Sequence, residues 1–158
     1  MSISGTVEAT TVVPYNPPAC RVYHNANQSL TNNTLTALAF NSERYDTDTM
    51  HDTVTNNSRI TINTAGLYLL TLSIQFAADT DYTQNFAAFR VDGATYIAQD
   101  ASPGMSDGRV AIATVYKFSA TQYVEAIARQ INTSAGANDI IVNAQYTPEF
   151  TATWLGIG

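Results

Sequence analysis

Few groups in this 158-residue chain are able to carry chemistry: two histidines, thirteen acids, one cysteine and a scatter of serines. His24 and His51 stand far apart, and neither belongs to a His-x-x-x-His or similar metal-ligand spacing. A serine nucleophile needs a neighbouring base and an acid to orient it, and no Gly-x-Ser-x-Gly elbow occurs. Paired carboxylates are the requirement for glycoside hydrolysis, but the acids here fall mostly in segments that read as loops. Asp46, Asp48 and Asp52, and separately Asp79 and Asp81, offer oxygens to a hard cation, yet they lack the EF-hand spacing and its terminal Glu. Solvated loop acids are the plain reading of both sets. Cys20 is alone, so it forms no internal disulfide and reads as a small buried apolar residue. The Asn-x-Ser/Thr triplets at Asn27, Asn32, Asn56 and Asn132 are what an Asn-, Ser- and Thr-rich chain produces by chance. The expectation is a non-enzyme, with no catalytic residue, no metal and no cofactor.

Charge narrows the partners. The net charge is −6, there is one lysine (Lys117), and the six arginines are spread along the chain. Phosphate backbones and anionic membranes both require clustered cations, so nucleic acid and membrane are excluded as expected partners. Charged residues make up 13% of the chain, half the roughly 25% of ordinary soluble domains. The polar surface must then be built from Thr, Asn, Ser and Gln, a composition suited to an extracellular or virion protein. The opening MSISGTVEATTVV has no basic start and no long apolar run, so no signal peptide is expected. No stretch approaches the 18 apolar residues of a membrane span. Release by lysis or within a particle is the expected route outside a cell.

The elements that must hold these residues are strands. Residues 1–19 carry one charge, a β-branched run and then Pro14, Pro17 and Pro18, which together predict an extended arm. From residue 20 the chain shows a period of two. In LYLLTLSIQF (67–76), Tyr68, Leu70, Leu72, Ile74 and Phe76 share one face, and Leu69, Thr71, Ser73 and Gln75 the other. Ile60 and Ile62 alternate, as do Phe89 and Val91 before the Asp92-Gly93 hairpin signal. Tyr96 and Ile97 begin a return strand, and ASPGMSDG (101–108) reads as a loop. Val110 to Phe118, then Tyr123 to Arg129, then Ile140 to Tyr146 alternate again. The stretch 121–130 also fits a short helix, but its neighbours favour a strand. The apolar segment FTATWLGIG (150–158) predicts a terminal strand clamped in the middle of a sheet. Eight to ten short strands point to a two-sheet sandwich.

The order of these segments resembles the globular head shared by complement-type collagenous proteins and tumour necrosis factor. The resemblance covers residues 20–158. It rests on LTNNTLTALAFNSERYDTD, with Phe40, Asn41 and Tyr45-Asp46, and on RITINTAGLYLLTLSIQF, with Gly66 and Tyr68. FRVDG, VAIATVYKFSATQYVEAIA and the final Trp154, Gly156 and Ile157 complete it. Ala120-Thr121-Gln122 departs from the family's Gly-Asp turn, and there is no Gly-X-Y stem. The resemblance implies an all-β, antiparallel ten-strand jelly roll that assembles as a trimer. It names no ligand.

Several strands are apolar on both faces, and a sandwich covers only one of them, so an identical neighbour is the expected cover. The expected trimer interface is Tyr68, Leu69, Trp154, Leu155 and Ile157. The expected partner-binding arm is Val7, Thr11, Val12, Val13 and Tyr15. The function these features suggest is a homotrimeric phage capsid decoration (cement) protein on the virion surface, bound to the major capsid protein or another virion protein through its arm. The alternative is a receptor-binding head of a phage fibre. Its ligand would be a host-surface glycan held by loops 99–108 and 132–138, with Tyr82 and Tyr96 nearby.

Overall fold

The computed structural model describes residues 16–104 and 106–158. These residues form twelve strands: β1 (Ala19–Tyr23), β2 (Gln28–Leu30), β3 (Thr36–Ala37), β4 (Ser42–Asp46), β5 (Arg59–Thr61), β6 (Gly66–Gln75), β7 (Tyr82–Val91), β8 (Thr95–Pro103), β9 (Arg109–Phe118), β10 (Tyr123–Asn132), β11 (Asn138–Ile140) and β12 (Glu149–Gly156). Among the described residues there is no helix. One sheet runs β4-β1-β12-β6-β9 and the other β3-β10-β7-β8, with β5 also paired to β10; β11 and β2 form a small third ladder. All pairings are antiparallel.

The terminal strand is clamped as its composition requires. β12 lies between β1 and β6, with Phe150 opposite Val22 on one side and Leu72 on the other. Phe150 is fully buried and joins the two sheets. Its ring stacks on Phe89 of β7 with centroids 5.3 Å apart, and tilts against Phe40 at 5.7 Å. The inward face of β6 (Tyr68, Leu70, Leu72, Ile74) supplies much of the same core. Residues 123–130 are strand, as their neighbours suggest, and Thr121 and Gln122 belong to the turn before them. The Asp92-Gly93 hairpin has positive φ at both positions, 51° and 70°, the geometry that matches strand twist.

Three details differ from expectation. The described residues form twelve strands where ten were expected; β2, β3 and β11 are two- or three-residue ladders too short to show a period. β8 continues through Pro103, so the first residues of the expected 101–108 loop pair with Phe86, Asn85 and Gln84. Pro103 is the last residue of an edge strand, a position that tolerates the missing N–H. Of the expected strand at 140–146, only Ile140 belongs to one. Asn143 Oδ1 accepts the Gln145 and Tyr146 amides, each at 2.9 Å, and this local turn wins over a ladder.

Candidate functional site

The feature that requires a functional explanation is the outer face of the β4-β1-β12-β6-β9 sheet. Because β6 sends its even residues into the core, Leu67, Leu69, Thr71 and Ser73 point outward. Register carries that face across the sheet. Leu69 lies opposite Val115 on β9 and Thr153 on β12; Thr71 lies opposite Ala113 and Thr151; Ser73 lies opposite Ala111 and Glu149. Small neutral residues therefore fill the middle.

One corner is mostly apolar, with Lys117 at its end opposite Leu67. Val115, Leu155 and Ile157 are 52%, 54% and 81% exposed, and Leu69 is half-buried opposite Val115. The Trp154 indole N–H donates to the Ala65 carbonyl at 3.2 Å, which fixes the ring against the rim of the core. Of the five expected interface residues, Leu69 lies on this face and Leu155 and Ile157 are exposed at its end, whereas Trp154 lies opposite Tyr68 and packs against the core.

Tyr68 is a correction. It is fully buried, packs edge-on against Phe118 at 5.9 Å, and donates its hydroxyl to the Thr64 carbonyl at 2.7 Å. Burial, with the charge of Asp48, pushes its phenol up to about 12. It belongs to the inward face of β6, so it is core and not interface. Val115 and Leu67 are the residues missed. Their signal was alternation itself: once Ser73 and Thr71 mark the outward face of β6, Leu67 and Leu69 must share it.

The opposite corner of the face is ionic. Glu149 sits between Arg21 and Arg44, accepting from Arg21 Nε at 2.6 Å, from Arg21 Nη2, and from Arg44 Nη2 at 2.8 Å. Partial burial pushes its carboxyl up, but hydrogen bonds from Arg44, Arg21 and Thr147 outweigh this and hold it below the usual range. Arg44 also lies 4.2 Å over the Tyr23 ring. Two adjoining depressions of about 340 and 510 Å³ open on this part of the sheet, sharing Arg21, Ser73 and Glu149 as walls.

The remaining predicted residues are dispersed. Val7, Thr11, Val12, Val13 and Tyr15 lie outside the described residues. The described residues before β1 lie along the sheet: Pro18 O accepts the Trp154 amide at 2.9 Å, and Pro17 O accepts the Thr47 hydroxyl at 2.8 Å. Tyr82 is a correction too. It is 7% exposed and edge-on to Phe76, so it offers no ring to a sugar. Tyr96 is on the surface strand β8, opposite Arg90. Cys20 is buried, and burial, with Asp46 and Glu43 nearby, raises its thiol far above the ordinary value.

The loop acids act as turn builders. Asp46 accepts the amides of Asp48 and His51; Asp52 accepts those of Val54 and Thr55; Asp79 accepts that of Asp81 and the amide groups of Asn132 and Asn138. Among the described residues no three His, Cys, Asp or Glu converge as metal ligands. His51 is buried between Glu43 and the Asn57 carbonyl, and among the described residues neither histidine hydrogen-bonds a hydroxyl or thiol.

No protein-family model matches the chain, and no curated protein matches it in sequence. Solved structures do match in shape. The globular domain of the zebrafish complement 1qA protein aligns with a TM-score of 0.65 at 10% identity, covering 89% of this chain and 99% of that one. Eiger TNF from S. frugiperda aligns at 0.63 with 12% identity, covering 90% and 96%. Murine APRIL aligns at 0.63 with 11% identity, covering 89% and 100%. The chain therefore has the jelly-roll fold of the tumour necrosis factor and complement globular-head type.

Proposed function

We propose that this chain is a non-enzymatic structural module that assembles as a homotrimer through the outer face of its β4-β1-β12-β6-β9 sheet. The observation that carries the reading is the apolar corner of Val115, Leu155 and Ile157, left exposed beside half-buried Leu69 on a sheet whose middle is small and uncharged. Water tolerates such a contiguous patch poorly, and three copies around an axis would cover one another's. The fold supports the same reading, since a jelly roll offers a flat sheet exterior for packing.

The biological setting we propose is a particle surface: a phage capsid decoration protein held to its coat through residues 1–19. Low charge, a surface of hydroxyl and amide groups and the absence of a catalytic constellation among the described residues favour this. Three arms engaging at once would multiply a weak single contact. Removing residues 1–18 tests the attachment. The truncated protein is expected to keep its trimeric mass and to lose particle association in co-sedimentation. Normal decoration by the truncated protein would refute the arm's role.

A further inference from the structure

The β4–β5 loop and β5 border an open depression of about 430 Å³, on a part of the molecule distinct from the proposed assembly face. Its walls include His51, Asp52, Thr55, Asn56, Arg59 and Asn63. Among the described residues Arg59 and Arg109 are the arginines whose guanidinium has neither an ion pair nor a hydrogen-bond acceptor, and Arg109, 3.5 Å over the Tyr146 ring, lies outside this depression. Arg21, Arg44 and Arg90 each pair with a glutamate, and Arg129 donates to Gln84 at 2.5 Å. Arg59 does neither. Among the described residues its guanidinium donates no hydrogen bond and meets no carboxylate, and its Nε is buried without an acceptor. It is held instead by the face of Tyr123, 4.2 Å from guanidinium carbon to ring centroid.

A fixed, half-buried guanidinium with unspent donors is poised for a planar, bidentate anion, and a carboxylate fits that fork best. The other groups lining the depression are hydroxyls, amides and one carboxylate. Asp52 Oδ1 is taken by the amides of Val54 and Thr55, both at 2.8 Å. Those backbone hydrogen bonds hold Asp52 below the usual carboxylate range, so it remains an acceptor at neutral pH. An acceptor set of this kind suits a ring of sugar hydroxyls, and the volume suits one sugar residue.

We propose that this depression binds a single carboxylated sugar residue of the hexuronic or nonulosonic acid class, its carboxylate on Arg59 and its hydroxyls on Asp52, Asn56 and Thr55. The site would let the molecule hold an acidic surface glycan whatever its oligomeric state. The test is titration of the full chain with D-glucuronate and with N-acetylneuraminate, followed by calorimetry and saturation-transfer NMR. D-Glucose and acetate are the controls. Saturable millimolar or tighter binding of one acid sugar is expected, with glucose and acetate at least tenfold weaker. Arg59→Gln and Arg59→Lys are each expected to lose at least tenfold in affinity, and Thr55→Val to lose less. Arg59→Lys keeps the charge, so it decides the matter if Arg59→Gln does not fold. Absent saturation by both acid sugars, equal binding of glucose or acetate, or full affinity in Arg59→Lys would each overturn the proposal.

Discussion

Gly66 marks a close approach of two strands. A Cβ built there would stand 2.1 Å from the Trp154 indole nitrogen and 2.5 Å from the Gly156 carbonyl, so no side chain fits. Gly66→Ala is expected to cost about 1–3 kcal/mol by overpacking, measured by urea unfolding, and to loosen Trp154, seen as a shift in its fluorescence. An unchanged midpoint and spectrum would show that the clamp on the terminal strand is looser than described. Glu149 sets an acid limb. Its folded carboxyl lies below the ordinary 4.5, so the folded state binds fewer protons than the unfolded one. The stability it contributes is complete above about pH 4.5 and falls as pH drops through the folded value. Stability of Glu149→Gln is expected to depend less on pH below that point, as followed by thermal melts from pH 6 to pH 3. An identical acid limb would remove the Arg21–Glu149–Arg44 group from the account.

Among the elements, β12 ties the two sheets together, because it is central in its own sheet and its Phe150 touches Phe89 of the opposite one. Phe150→Ala is expected to destabilise by about 3–5 kcal/mol in denaturant unfolding. A loss under 1 kcal/mol would show that the sheets are joined elsewhere. This element was legible in the sequence, since an apolar β-branched and aromatic run has few places to be except a sheet centre. β6, β9 and β10 were legible for the same reason: each is ten residues long, and alternation needs length to show. β2, β3 and β11 were not, because two or three residues carry no period and their partners lie in distant parts of the chain. The proposed assembly face was half legible. Alternation showed that β6 is apolar on both sides, but only the core showed which side is inner, so Tyr68 was placed with the wrong partners. The Arg59 depression left no local mark, since it depends on Tyr123 coming from a distant strand.

For the whole molecule, the account rests on the sheet exterior being covered by copies of itself. A charge placed in the apolar corner tests the face directly. Val115→Asp leaves the core untouched, as Val115 is 52% exposed on an edge strand, so the folded monomer should persist with a native far-ultraviolet spectrum. Its assembly should be lost, because a carboxylate would be buried without a partner at each of three interfaces. The most direct measurement is the mass of the unmodified protein by sedimentation equilibrium at micromolar concentration. The account predicts three times the 17.1 kDa chain mass, falling to a single chain in Val115→Asp. A monomer of the unmodified chain at that concentration would contradict it.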